Sequence, residues 1–240
     1  MIAPVTVLLC TYDDAETLPA ALDSALAQTL PRERFEVVAV DDGSTDGTSG
    51  VLDAYERQGV EVVRLARNAG LPAAANAGLE RIATPFFVRL DADDEFEPEL
   101  LEALLEAAGR EDANLVYPDR RETAADGTER IVRLGAEPEV GLMVAAGKLL
   151  PTVLVRQLGG YRDLFWEEID LYLRLLESGE VRTAHVPRPL YRYTVGLPGR
   201  MTTDAAAVRR GWDELRALWP EDVLVRHGLG TDYAVGRDRL

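Results

Sequence analysis

Pro85-Phe86-Phe87-Val88-Arg89-Leu90-Asp91-Ala92-Asp93-Asp94 is the stretch on which the fold turns. Its first half has the length and apolarity of a buried strand, and it breaks off into carboxylates. Three earlier apolar runs also stop at polar loops. Residues 5–9 lead into Thr11-Tyr12-Asp13-Asp14, residues 35–40 into Asp41-Asp42-Gly43-Ser44, and residues 60–65 into Arg67-Asn68-Ala69-Gly70. Helical spacing fills the gaps: Leu18, Leu22, Ala25 and Leu26, then residues 45–58, then the alanine-rich residues 71–82. Strands alternating with helices at short intervals predict an α/β fold, with a Rossmann-like, mostly parallel central sheet and helices on both faces. Ligands of such sheets settle outside the carboxyl ends of the strands, so the four polar loops are expected on one edge.

After Pro98 the pattern changes. A helix is expected over residues 98–108 and a strand over 114–117, and Asp126-Gly127 is a hairpin signal. Gly159-Gly160 interrupts the chain ahead of a helix over 166–178. Pro187 and Pro189 are read as bracketing a turn before a strand at 190–195. An amphipathic helix over 204–218 and a tail rich in Gly, Asp and Arg follow. Residues 1–98 thus form one half of a domain, 99–203 a second half that includes a smaller subregion, and 204–240 a terminal helix and tail.

With 240 residues, 47% of them hydrophobic, the chain has enough apolar surface for one large domain. A formal net charge of −16 without a basic stripe argues against a nucleic-acid partner. Positive charge is almost all arginine, and Lys148 is the only lysine. Lys148 is too isolated in sequence to be credited as the lysine of a phosphoacceptor pocket. The single cysteine, Cys10, rules out a disulfide framework and a cysteine zinc site, in keeping with a reducing compartment. The apolar start lacks a basic n-region, so it reads as a strand rather than a signal peptide. No run has the length of a membrane span. A cytoplasmic protein is expected, with a place at the inner face of a membrane left open.

Asp91 and Asp93, two apart at a strand end, could hold magnesium or manganese and leave coordination sites for a diphosphate. Acids there could equally cap the next helix. Gly43 to Thr48 reads as turn and helix cap, but two acids in a row at a strand exit suggest acceptors for a base N–H or a ribose hydroxyl. Tyr12 could stack on a base or simply pack. Glu167, Glu168 and Asp170 open a helix, where acids complement the dipole; one of them could instead be a general base.

Taken in order, Thr11-Tyr12, Val40-Asp41-Asp42-Gly43-Ser44, Asn68-x-Gly70 with Asn76-x-Gly78, Asp91-x-Asp93-Asp94, Gly159-Gly160-Tyr161 and Glu167-Glu168-x-Asp170-Leu171 through Arg174 resemble the landmarks of the family 2 glycosyltransferases, which have the GT-A fold. The resemblance runs from about residue 5 to 203. It implies an inverting transferase that moves a sugar from a nucleotide-diphosphate sugar (UDP, dTDP or GDP) to a saccharide, lipid or small-molecule acceptor. It implies that Thr11, Tyr12, Asp14, Asp41, Asp42, Asn68, Asn76 and Asp91 surround the donor, and that Asp93, with Asp91, binds Mn2+ or Mg2+. Glu168 matches the catalytic base, with Asp170 as its substitute. Residues 99–203 then form the acceptor side, and a loop at Gly147 to Pro151 could cover the donor.

Three positions depart from the pattern. Glu168 is one methylene longer than the usual aspartate, Ala75 stands where many members carry arginine, and no histidine follows Tyr191-Arg192. His185 and His227 are read as structural or surface residues. A binding module that has lost turnover is therefore the second reading. A sugar-nucleotide pyrophosphorylase would need a glycine-rich basic loop after the first strand, and Thr11 to Asp14 is neither. A response-regulator phosphoacceptor would need a lysine beside its acidic pocket.

Overall fold

A computed structural model describes residues 3–143, 145–196 and 203–229. Nine strands form one sheet in the order β3-β2-β1-β4-β8-β6-β9-β5, with β7 paired to β6. The first four are β1 (Val5–Thr11), β2 (Phe35–Asp41), β3 (Glu61–Arg64) and β4 (Phe86–Asp91), all parallel to their neighbours in this group. Every residue of β1 is buried, as a central parallel strand covered on both faces requires. Each fully buried Leu or Val of this kind contributes about 1.5–3 kcal/mol relative to exposure.

Side chains alternate across the sheet, and the sequence honours the alternation. Val5, Val7, Leu9, Val88 and Leu90 pack beneath α1 (Leu18–Leu26), α2 (Thr48–Glu56) and α4 (Leu100–Glu111). Leu8, Cys10, Val40 and Phe87 face α3 (Leu71–Arg81), α5 (Thr152–Gln157), α6 (Glu167–Glu177), α7 (Ala205–Leu218) and α8 (Glu221–Arg226). Arg89 and Asp91 alternate with Val88 and Leu90, so they belong to this second face, below α6.

The second half differs from expectation in three places. Leu149–Pro151 is a strand, β8, antiparallel to β4 and β6, and not a loop over the donor. β6 (Leu115–Ala124) continues past Tyr117 and turns at Asp126-Gly127 into β7 (Glu129–Val132), which is the expected hairpin. Pro187 and Pro189 do not bracket a turn: β9 (Thr183–Val195) passes through both, with register shifts around Pro118 to Arg120 of β6. A bulge tolerates proline because no ladder donor is needed there. The two-residue β5 (Glu95–Phe96) pairs with β9 directly after the acidic loop. Among the described residues no helix is long and apolar enough to cross a membrane. The expected tail beyond 229 lies outside the described residues.

Candidate active site

Strand register gathers the polar loops. Thr11 lies abreast of Asp41, and Cys10 abreast of Asp91. Gly43 has φ +74°, and a Cβ there would come within 2.5 Å of the Arg67 backbone, so the loop after β2 rests directly on the loop after β3. Asp42 fixes that contact by accepting from the amides of Ala69 and Gly70, both at 2.8 Å, at the entry to α3. Asp41 accepts from the Ser44 amide and the Ser49 hydroxyl, also at 2.8 Å. Asp14 accepts from the Thr11 hydroxyl at 3.0 Å and the Tyr12 amide at 3.1 Å, and Asn68 from the Gly70 amide at 3.1 Å. These groups pre-organise the rim. Tyr12 stands open to solvent above it, 41% exposed.

Asn76 is elsewhere. Its amide donates to the Tyr161 carbonyl at 2.7 Å and accepts from the Tyr161 amide at 2.8 Å, so both ends are used in tying α3 to the segment before α6. The expected donor contact of Asn76 is thus replaced in this structure by contacts within the chain. Asp170 is likewise occupied: it is fully buried and accepts from Arg174 at 2.8 Å, the Trp219 indole at 3.0 Å and Arg162 at 3.2 Å. A carboxylate so committed would have to release these donors before it could take a proton from an acceptor hydroxyl.

The centre of the site is Arg89. Its guanidinium lies 3.2 Å from Asp91 and 3.2 Å from Glu168, and donates to Glu167 at 2.8 Å. The Asp91 contact is an ion pair only, since the Nε–H finds no acceptor along its bond direction. Burial works against the Arg89 charge, yet Asp91, Glu168 and Glu167 hold it firmly ionised. Burial also raises Glu167, and lifts Glu168 to about 7 even though Arg89 pulls it down. The Tyr172 hydroxyl donates to Glu168 at 3.1 Å.

Below β4 the acids cluster. Asp94 is buried, donated to by the Tyr191 hydroxyl at 2.6 Å and the Thr194 amide at 2.8 Å, and burial with the charges of Asp91 and Asp93 pushes its carboxyl well up. Asp91 and Asp93 remain partly open to solvent. Carboxylates at a strand end are the donor type that suits Mg2+ or Mn2+, and among the described residues no group of three or more His, Cys, Asp or Glu side chains is placed to hold a metal ion. Beside these acids a groove of about 420 Å³, lined by Glu97, Arg121, Glu129, Arg192 and Thr194 among others, runs along β5, β6, β7 and β9.

Sequence reasoning missed Arg89, Lys148, Tyr172 and Tyr191. The signal available for the first two was a lone cation inside an apolar run. His185 and His227, read as structural or surface, pair with Asp119 at 2.8 Å and with Glu177 at 2.7 Å.

Known proteins are similar to this chain in sequence and in fold. The succinoglycan biosynthesis protein ExoO of Rhizobium meliloti is 33% identical over 136 residues, 57% of this chain and 38% of that protein. The chain spans less than half the length of the curated relatives it matches. Among solved structures, residues 1–349 of S. aureus TarS in complex with UDP-GlcNAc superpose with a TM-score of 0.75 at 19% identity, covering 93% of this chain and 71% of that one. The Pyrobaculum calidifontis mannosyltransferase PcManGT, in complex with GDP-Man and Mn2+, gives 0.70 at 18% identity, covering 93% and 67%. Both likenesses show the GT-A fold. The profile of glycosyl transferase family 2 matches residues 6–163, well over half of the sequence, and the chain belongs to that family.

Proposed function

We propose that this chain transfers a sugar from a nucleotide-diphosphate sugar to an acceptor hydroxyl, with inversion at the anomeric carbon and with Glu168 as the general base. One observation carries the reading: Arg89 draws Asp91, from the donor edge of the sheet, and Glu168, from the first turn of α6, to one guanidinium. A base must stand beside the donor's anomeric carbon, and this contact supports that juxtaposition. In the reaction the acceptor oxygen bonds to the anomeric carbon as the bond to the diphosphate oxygen breaks. The electron pair leaves with the nucleotide, and the hydroxyl proton passes to Glu168.

Thr11, Tyr12, Asp41, Asp42, Asp14 and Asn68 form the rim that receives base and ribose. Asp41 and Asp42 each take two internal hydrogen bonds, and a carboxylate has about four acceptor positions, so each can accept from a ligand as well. Asp91 and Asp93 would hold a divalent cation, which supplies counter-charge to the departing diphosphate when bound. Asp170 and Asn76 are positioning residues for α6 and the segment before it. Residues 1–98 serve the donor and 99–203 the acceptor, which enters along the groove lined by β5, β6, β7 and β9. UDP, dTDP and GDP remain the candidate nucleotides, and a saccharide, lipid or small molecule the acceptor. The complexes of TarS with UDP-GlcNAc and of PcManGT with GDP-Man and Mn2+ support a nucleotide sugar and a divalent metal. We place the protein in the cytoplasm, at or near the inner membrane face.

The test is nucleotide release from a panel of UDP-, dTDP- and GDP-sugars with Mn2+, run beside direct donor binding. Release that depends on Glu168 supports transfer. Donor binding without release from any sugar, with or without acceptors, would instead make the chain a binding module.

A further inference from the structure

Lys148, the only lysine of the chain, is buried at 3% exposure. The segment that carries it is pinned on both sides. The Gly147 amide donates to the Arg89 carbonyl at 3.0 Å, and a Cβ on Gly147, φ +85°, would come within 2.3 Å of the Tyr191 ring. The ammonium donates to the Ala145 carbonyl and, at 3.2 Å, to the Ala146 carbonyl. It faces the Tyr172 ring at 5.3 Å from the centroid, and the hydroxyl of that ring donates to Glu168 at 3.1 Å. Burying a compact, strongly hydrated ammonium is expensive, and a Met or Leu would fill the same volume among apolar neighbours at less cost. The charge itself therefore calls for a use.

We propose that Lys148 is a positioning residue for Glu168: held by two backbone carbonyls and the face of Tyr172, it provides the second cation that keeps the Glu168 carboxylate ready to accept a proton. This rests on the reading of Glu168 as the base. The surroundings of the pair are mixed in sign. β4 contributes Arg89 and Asp91, β6 contributes Arg120, and α6 contributes Glu167, Glu168 and Tyr172, with Tyr161 also within electrostatic reach of Glu168. Burial brings Lys148 down to about 7 and Glu168 up to about 7, and each opposes the other's shift. Near neutral pH the two groups hold the proton balance of the site between them.

A chain with one lysine allows a direct test. Lysine labelled with carbon-13 at Cε gives a single side-chain resonance that reports the Lys148 charge in this 240-residue chain. Its midpoint is expected near 7, and Glu168→Gln should lower it by about one unit, the size a nearby opposite charge imposes. By the same linkage, Lys148→Met should move the acid limb of the transfer profile upward by about one unit while leaving the donor KM unchanged. A Lys148 midpoint indifferent to Glu168→Gln overturns the proposal whether or not Lys148→Met folds, and so does an unmoved acid limb. Full transfer by Glu168→Gln would instead overturn the base assignment, and the proposal's catalytic meaning with it.

Discussion

Nη2 of Arg89 stands 3.2 Å from Oε2 of Glu168, with both side chains buried. The contact joins the middle of a sheet strand to the first turn of a helix from the other half of the chain. With Glu167 and Asp91 on the same guanidinium, the cluster carries more negative than positive charge before any ligand arrives. Such a cluster is costly unless every member stays paired.

Arg89→Met should therefore destabilise the fold by about 3–5 kcal/mol, because it strands Glu167 and Glu168 without their cation. Urea unfolding measures this directly. The double variant Arg89→Met with Glu167→Leu should recover part of the loss, since an apolar pair can replace a buried ion pair. A single variant as stable as the parent would show that the guanidinium is not what holds the cluster.

Glu168→Gln should lower the transfer rate about 10²–10⁴-fold, the usual contribution of a positioned general base. Donor affinity by calorimetry should hold, because Gln still accepts from Tyr172 and the rim loops do not use Glu168. Equal loss of donor binding and transfer would move the role of Glu168 from chemistry to donor contact.

Asp93→Asn should weaken Mn2+ binding, measured without donor or turnover, and leave the unfolding midpoint within about 0.5 kcal/mol, as surface substitutions usually do. Asp93 is partly open to solvent, while the buried structural acid of that loop is Asp94. Undiminished Mn2+ affinity would take Asp93 out of the metal site.

The parallel half of the fold was readable because each of its strands is a short apolar run that stops at a polar loop. Residues 35–40 and 85–90 are plain cases, and the observed β2 and β4 end one residue later, on Asp41 and Asp91. β8 was not readable: Leu149–Pro151 is too short for periodicity to register, and only its pairing with Val88 and Val116 makes it a strand. The prolines of β9 misled for the opposite reason, since a local breaker rule was overridden by long-range pairing with β6. In the site, the rim acids announce themselves by position at strand ends. Arg89 and Lys148 do not, because their meaning depends on partners from α6 that no local spacing reveals. The contacts of Asn76 and Asp170 with Tyr161 and Arg174 were hidden for the same reason.

Transfer should rise as pH increases through about 7 and not near 4.5, because burial raises the Glu168 carboxyl to about 7 and only the ionised form accepts a proton. The sign for stability is opposite. Between 4.5 and 7 the folded state holds a proton that the unfolded state has released, so the contribution of Glu168 to stability falls as pH rises across that window. Parent and Glu168→Gln unfolding curves at pH 5 and pH 8 measure it as a difference that changes with pH. An acid limb near 4.5 in the transfer profile would mean that the acting carboxylate is not buried.

Asp170→Asn separates structure from catalysis at the start of α6. The Asp170 carboxylate balances Arg174, which also donates to the Leu158 and Gly160 carbonyls, and it receives the Trp219 indole N–H from beyond α7. Asparagine keeps one acceptor oxygen but presents an N–H2 where a donor already stands, and it removes the only carboxylate paired with Arg174 among the described residues. The loss should be about 3–5 kcal/mol in urea unfolding. Molecules that remain folded should transfer at a rate within a few fold of the parent, because Glu168 and its contacts to Arg89 and Tyr172 are untouched. If Asp170→Asn instead kept its stability and lost transfer as completely as Glu168→Gln, the proton would be going to Asp170, and the three donors around it would have to release it during turnover.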